Sequence, residues 1–226
     1  MSELQPSPKI LKQDLFGRVE LIYFNDSKGI SQLAICRDLN YARWWVRPLA
    51  NYLAWREVKA LQQLTRANIA PQQLPQILEV QGGCVIRSYL PGKPLHQHGQ
   101  PSAVFFEQLK QLLDEVHSAK VTHNDLAKEP NILVSSDGSP ALIDMQLASR
   151  GRLFFKTQSR EDLRHVLKHQ RTYYPQTLSS DDLKRLANKS LQAKVWMRCV
   201  KPVYLFVTRR LLHWSDREGA GDRNIN

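Results

Sequence analysis

The sequence predicts an α+β fold in two lobes, a small antiparallel sheet with one helix followed by a mostly helical region. Short β-branched and aromatic runs between turn signals fill the first forty residues. Apolar residues then recur at helical spacing, first within residues 47–66 and again within 103–119. We therefore predict an N-terminal lobe over residues 1–88 and a C-terminal lobe over 89–226.

Length and composition fit such a fold. The 226 residues suffice for one large domain or two small lobes that share a core. Charged residues make up 23% and aromatic residues 8%, which excludes a disordered, collagen-like or coiled-coil chain. No apolar run approaches the roughly 18 residues that a membrane-spanning helix needs. The first residues resemble no secretion signal, so we expect a cytosolic protein.

The cysteines predict neither a disulfide framework nor a zinc site. Cys36, Cys84 and Cys199 are an odd number and contain no C-x-x-C pair. We expect reduced, structural thiols.

The first three predicted strands cover residues 9–12, 18–24 and 32–36. Residues 25–29 separate the last two as a hairpin connection would. The helix at 47–66 carries Leu49, Leu53 and Leu61 on one stripe, with Glu57 in its gap. A buried carboxylate requires a cation or several donors, so we expect a specific partner for Glu57. The alternative is that the stripe ends early and Glu57 is solvated.

A second hairpin follows around Gly82 and Gly83, with predicted strands at 76–80 and 84–90. Residues 91–94 contain two prolines and a glycine, which indicates a linker. The helix over 103–119 has apolar residues at helical spacing, which predicts one buried face.

A polar loop over residues 121–131 carries the candidate chemistry. It leads into a short apolar strand, a turn over 135–140 and a second apolar strand that ends at Asp144. Phosphoryl transfer needs a carboxylate that orients a hydroxyl, and an amide oxygen with a second carboxylate that hold Mg²⁺. Asp125, Asn131 and Asp144 supply these groups in that order. His123 would brace the loop, and Lys128 would neutralise charge on the transferred group.

These residues resemble the protein-kinase-like superfamily. The segments His123-Asn-Asp125, Asn131-Ile-Leu-Val and Leu142-Ile-Asp144 resemble its catalytic loop and metal-binding aspartate. Asp-Phe-Gly and Ala-Pro-Glu motifs are missing, so the chain is most similar to the compact bacterial branch of RIO-type and lipopolysaccharide-core (Kdo/heptose) kinases. The resemblance covers about residues 9–170. The alternative is an accidental polar loop.

The resemblance implies ATP and Mg²⁺ as cofactors and assigns further residues. Glu57 matches the helix glutamate that holds the third-strand lysine on the nucleotide phosphates. The backbone of Ser88, Tyr89 and Leu90 matches the hinge that binds adenine. Asp162 would anchor the catalytic loop, or else favour the dipole at the start of its helix.

Three features depart from the family pattern. Arg37 stands where the third-strand lysine is expected, and arginine is bulkier with a different geometry. The first hairpin has the single glycine Gly17 instead of a glycine-rich loop. Asn131 follows Asp125 by six residues, one more than usual, so the loop must bulge. A pseudokinase that binds nucleotide weakly or acts as a scaffold is therefore the alternative function.

The positive charge is concentrated near the C-terminus. Residues 150–226 hold 17 Lys and Arg against 7 Asp and Glu, whereas residues 1–149 hold 15 against 14. Residues 183–215 contain no acid and repeat apolar residues every four, which predicts a basic amphipathic helix, or two joined at Pro202. This helix packs on the C-terminal lobe or docks on an anionic membrane. Nucleic acid ranks third, because no binding motif accompanies the charge.

Together these inferences predict a kinase that transfers the ATP γ-phosphoryl group to a hydroxyl. The leading acceptors are a lipid-linked lipopolysaccharide-core sugar and a Ser or Thr of a protein, with a small molecule less favoured. The expected location is the cytoplasm, with the inner face of the cytoplasmic membrane as a peripheral site.

Overall fold

A five-stranded antiparallel sheet forms the first part of the molecule, which a computed structural model describes over residues 8–26, 29–151 and 153–187. The strand order is β1-β2-β3-β5-β4, so the hairpins predicted around residues 25–29 and around Gly82 and Gly83 are both confirmed. The strands are β1 (Lys9–Asp14), β2 (Gly17–Asn25), β3 (Ser31–Asp38), β4 (Ile77–Gln81) and β5 (Cys84–Ser88).

Gly17 allows the tight turn between β1 and β2. Its φ is +132°, and a Cβ there would lie 2.5 Å from the carbonyl oxygen of Asp38 at the end of β3. A side chain at this position would force the hairpin away from β3. The single glycine is therefore required by backbone packing.

Helix α1 (Arg47–Arg66) packs one face on the sheet and the helical region. Glu57 is buried on this face, as predicted, together with Leu61. The predicted stripe is wrong at Leu49, which is half exposed. Small residues, Ala50 and Ala54, occupy the buried positions near the start of the helix, where they pack with Leu39 and Val85.

The helical region contains the larger core. Helix α3 (Ala103–Ser118) is capped at its N-terminus by Ser102, whose hydroxyl accepts a hydrogen bond from the Phe105 amide at 3.3 Å. The core joins α3 to α1 and to α4 (Phe155–Tyr173), and its largest buried side chains on α3 are Phe105, Phe106, Leu109, Leu112 and Leu113. The shorter helices are α2 (Leu95–His98) and α5 (Ser180–Ala187).

Five very short strands hold the polar loop on this core. Strands β6 (Lys93–Pro94), β8 (Ile132–Val134) and β9 (Pro140–Leu142) form one small sheet, and β7 (Val121–Thr122) pairs with β10 (Ser149–Arg150). The predicted linker at 91–94 thus contributes a strand. The polar loop runs from β7 to β8 and is fixed at both ends.

Most of the predicted basic helix at 183–215 lies outside the described residues, since α5 is followed by residues 188–226. Within the described ranges, no helix is both long and apolar enough to cross a membrane.

Candidate active site

His123 connects the polar loop to the segment that bears Asp144. Its Nε2 donates to the carbonyl oxygen of Ile143 at 2.9 Å, and its Nδ1 accepts from the amide of Asp125 at 3.3 Å. These partners require the neutral tautomer with the hydrogen on Nε2. The ring is fully buried, so it positions the loop and does not reach solvent.

Asp162 anchors the same loop from the interior of α4. Its Oδ2 accepts from the amide of His123 at 2.7 Å and its Oδ1 from the amide of Asn124 at 2.8 Å. His117 of α3 lies 3.2 Å from Oδ2. Of the two sequence interpretations the anchor is confirmed, because Asp162 lies more than one turn beyond the start of α4 and is buried.

Asp125 and Asn131 are joined within the loop. Nδ2 of Asn131 donates to the backbone oxygen and to Oδ2 of Asp125, each at 3.0 Å. This fixes the amide so that its Oδ1 is the remaining acceptor. Lys128 Nζ lies 3.3 Å from Oδ2 of Asp125. The loop therefore presents a carboxylate with an adjacent cation and an oriented amide oxygen.

The extra residue between Asp125 and Asn131 is absorbed by a 3-10 turn over Glu129–Asn131. The amide of Asn131 donates to the Lys128 carbonyl at 3.2 Å, which closes the turn. Glu129 is buried and accepts from the Tyr173 hydroxyl of α4 at 2.9 Å. The sequence analysis assigned no role to Glu129 or to Tyr173. An acidic residue beside a proline in the predicted bulge was the signal that could have identified Glu129.

Asp144 follows β9 in a left-handed conformation with φ of 64°. Aspartate tolerates this region better than most residues. Its Oδ1 accepts from Nε2 of Gln146 at 2.5 Å. The amide of Ile143, one residue earlier, donates to the Asn131 carbonyl at 3.0 Å, so the Asp144 and Asn131 segments are joined through their backbones.

Glu57 has two guanidinium partners, one of which was not foreseen. Arg37 Nη1 lies 3.6 Å from one carboxylate oxygen, and Arg87 of β5 is in direct contact with the other. All three side chains are largely closed to solvent. The expected specific partner of Glu57 therefore exists, but the closer one is Arg87.

The charged groups of this site act on one another. Burial lowers the pKa of Arg87 to about 10, and the positive charge of Arg37 adds to this effect. Burial opposes the ionisation of Asp144, but Arg37 and Arg87 outweigh it and hold the pKa of that carboxyl below its usual range. Burial raises the pKa of Asp125 more than the charge of Lys128 lowers it. The surroundings thus lower the pKa of Asp144 and raise the pKa of Asp125.

The predicted hinge is partly engaged within the sheet. The amide of Ser88 donates to the Gln76 carbonyl at 2.8 Å, and the amide of Tyr89 donates to the Leu33 carbonyl at 3.2 Å. The amides of Ser88 and Tyr89 therefore already have partners within the sheet.

A magnesium site fits the donor set, although no group of three or more His, Cys, Asp and Glu side chains suited to a metal occurs in the described part of the chain. The Asn131 amide is fixed with its oxygen available, and Asp144 is held ionised by the two arginines. One amide oxygen and one or two carboxylates suit Mg²⁺, which keeps several waters and takes further ligands from phosphates.

Comparison with known proteins identifies the fold. No family model and no curated protein matches the sequence. Among solved structures the chain is similar to the Rio2 kinase from Chaetomium thermophilum, with a TM-score of 0.55 and 16% sequence identity. The match covers 80% of this chain and 63% of that protein, so the chain spans less than two thirds of its length. The chain thus has a mixed α+β, protein-kinase-like fold, as the sequence predicted.

Proposed function

We propose that this chain is an ATP- and Mg²⁺-dependent phosphotransferase that acts on a hydroxyl group. The observation that carries the proposal is the joined arrangement of Asp125, Asn131 and Asp144 beside a buried guanidinium cluster. A protein that only holds a partner has no requirement for these three groups in one cleft. The protein-kinase-like fold is consistent with nucleotide in this cleft.

Asp125 is suited to orient the acceptor hydroxyl and to take its proton. Its raised pKa makes it a stronger base than a solvated aspartate. Lys128, 3.3 Å from its carboxylate, adds positive charge where the transferred group would gain negative charge. His123 and Asp162 act as positioning residues, since they hold the loop through its backbone.

Asn131 and Asp144 would hold the metal ion, and Arg37 would face the phosphates. When bound, Mg²⁺ neutralises phosphate charge and aligns the nucleotide. Arg37 suits this role because Arg87 is the closer partner of Glu57. Arginine also binds phosphate through two parallel hydrogen bonds. Leu90 would contact the base through its backbone.

The acceptor remains a sugar hydroxyl of the lipopolysaccharide core or a Ser or Thr of a protein, met at the inner face of the cytoplasmic membrane. The resemblance to the lipopolysaccharide-core kinases and the basic sequence of residues 183–215 support this choice. A lipid-linked anionic acceptor would favour a basic surface on the enzyme.

A pseudokinase is the second candidate, and Arg37 in the position expected for lysine favours it. Two measurements separate the candidates. The first is the melting temperature with Mg²⁺ and ATP, where a phosphotransferase is stabilised by about 2.7 kcal/mol at a hundredfold excess over Kd. The second is transfer of labelled γ-phosphate into the lipid and protein fractions of a membrane extract.

The matched variants are Asp144→Asn, at the proposed metal site, and Asp114→Asn, an exposed charge change on α3. We expect Asp144→Asn to lose transfer and the Mg²⁺-dependent part of the stabilisation, and Asp114→Asn to behave as wild type. Nucleotide stabilisation without transfer would support the pseudokinase. Absence of any stabilisation at millimolar nucleotide, or full activity of Asp144→Asn, would contradict the phosphotransferase.

A further inference from the structure

An aromatic surface covers the outer side of α1. Three tryptophans, a tyrosine and a leucine in the helix and the turn before it are exposed, and Trp44 leaves 84% of its surface in water. Burial of large aromatic side chains strongly stabilises proteins, so such exposure indicates a surface that has a partner. These residues are Trp44, Trp45, Leu49, Tyr52 and Trp55.

The segment after Asp144 extends this surface. Nη2 of Arg56 donates to the carbonyl oxygens of Leu147 and Ala148 at 2.8 and 2.9 Å, which ties α1 to that segment. Leu147 is exposed there, and Leu153 and Phe154 are exposed a few residues later. Arg43, directly before Trp44, is exposed as well. We call the exposed residues of 43–55 and 147–154 the α1 face.

The charged residues of the α1 face are all basic. Residues 39–56 and 145–160 contain no Asp or Glu. The guanidinium of Arg56 lies 5.7 Å from the ring centre of Tyr52, and that of Arg150 lies 5.7 Å from the ring centre of Trp55. Tyr52 and Trp55 are themselves stacked, with ring centres 6.1 Å apart. Cations and rings therefore alternate on a surface that is held in place.

We propose that the α1 face docks on an anionic phospholipid membrane. Tryptophan and tyrosine concentrate at membrane interfaces, where the ring contacts the acyl chains and the polar group stays wet. Arginines between the rings would contact phosphate headgroups. The exposed leucines would also favour binding, because the acyl chains would remove their side chains from water. The surface thus matches a partner that is apolar and negatively charged at once.

Other occupants fit less well. Single-stranded nucleic acid also binds rings and cations, but it offers no apolar medium for Leu49, Leu147 and Leu153. A second copy of the chain would bring the same basic surface, and like charges repel. Residues 188–226 carry eight Lys and Arg against three Asp and Glu, so this part of the chain would be repelled as well.

Docking would place α1 between the membrane and the buried Glu57. Glu57 lies on the buried side of α1, opposite the α1 face, and the 147–154 segment begins three residues after Asp144. The proposal does not depend on phosphotransfer, because vesicle binding needs no nucleotide. Its failure and that of the proposed function are therefore distinguishable.

The experiment measures binding of the full chain to vesicles by co-sedimentation. Vesicles of phosphatidylcholine with phosphatidylglycerol are compared with phosphatidylcholine alone, at low and high salt. One variant, Trp44→Ser/Tyr52→Ser, removes two rings, and another, Arg43→Glu/Arg150→Glu, reverses two charges. The matched control is Lys93→Glu/Val104→Ser, which changes exposed residues elsewhere.

We expect the wild type to bind anionic vesicles, and both α1-face variants to bind at least about tenfold more weakly while they keep the melting temperature. The control should stay within about twofold of the wild type. Brominated lipid should quench the wild-type tryptophan emission, and less so that of the Trp44 variant. High salt should weaken binding.

Three outcomes would overturn the proposal. The first is that the wild type does not bind anionic vesicles, and the second is that the α1-face variants bind them as well as the wild type does. The third is that the variants lose binding to nucleic acid or to a second copy of the chain instead of binding to vesicles. The last is tested with a single-stranded oligonucleotide and by sedimentation for dimers. If the α1-face variants abolish either association while vesicle binding is unchanged, nucleic acid or a second copy is the partner.

Discussion

Arg87 of β5 and Glu57 of α1 form a buried ion pair in which the side chains are 11% and 1% exposed. Arg37 is farther away, 3.6 Å from the other carboxylate oxygen. Two guanidinium groups thus share Glu57, and both also act on Asp144. This gives two cations and two carboxylates in one region, so that the cluster is neutral before any ligand binds.

We predict that Arg87→Met strongly destabilises the protein. Removal of one partner leaves the Glu57 carboxylate buried with only the more distant Arg37, and such a loss costs about 3–5 kcal/mol. The free energy of unfolding in urea measures it. Arg66→Met, an exposed change in the last turn of α1, should change stability by less than about 0.5 kcal/mol.

A second variant separates the charge from the packing. Because Arg87→Met/Glu57→Leu removes both members of the pair, it should be more stable than Arg87→Met alone. If the double variant were as unstable as the single variant or more so, lost packing would explain the effect and the ion pair would not.

The sequence predicted what is local and missed what depends on strand register. Helix α1 and the loop from Asp125 to Asn131 follow from spacing over short stretches, and the structure has both. Arg87 was not foreseen because its inward direction depends on pairing with Ile35 of β3 and Ile77 of β4. A shift of one residue would turn its side chain to the other face. Leu49 was misassigned because packing by alanines selected a different face of α1.

The second prediction concerns acid stability. Asp144 has a pKa below its ordinary value of 3.8, so its ionised form stabilises the folded protein above that pH. This contribution is lost as the pH falls through the lowered pKa. Asp144→Asn should therefore lower the free energy of unfolding at neutral pH, and its difference from wild type should shrink at the acid end. Unfolding in urea at a series of pH values, without nucleotide, measures it.

The ionisation of Asp125 should affect stability in the opposite direction. Its pKa is raised above 3.8, so the folded state favours the protonated form, and stability falls as the pH rises through the raised pKa. Asp125→Asn should therefore make the nucleotide-free protein more stable at neutral pH and slow phosphate transfer by about 10²–10⁴-fold. A lower stability of Asp125→Asn at neutral pH would contradict the raised pKa.

The fourth prediction concerns the anchor of the loop. Asp162→Ala removes the acceptor of the His123 and Asn124 amides, and each buried donor left unpaired costs about 1–3 kcal/mol. We expect lower stability and faster amide hydrogen exchange at residues 122–126. Asp114→Ala, at an exposed aspartate of α3, is the control and should change neither. If exchange at 122–126 were unchanged in Asp162→Ala, the loop would not depend on this anchor.

The last prediction compares two neighbouring tyrosines of similar environment. The Tyr173 hydroxyl donates to the buried Glu129 carboxylate at 2.9 Å, whereas the Tyr174 hydroxyl donates to the neutral Pro101 carbonyl at 2.6 Å. Hydrogen bonds to charged groups contribute about 1.5–3 kcal/mol and neutral ones about 0.5–1.5 kcal/mol. Tyr173→Phe should therefore destabilise the protein more than Tyr174→Phe, despite its longer bond.

Only Tyr173→Phe should also slow phosphate transfer, because Glu129 belongs to the turn that carries Asn131. Equal losses of stability, with transfer unaffected in both, would mean that the Glu129 contact holds α4 and leaves the loop unconstrained.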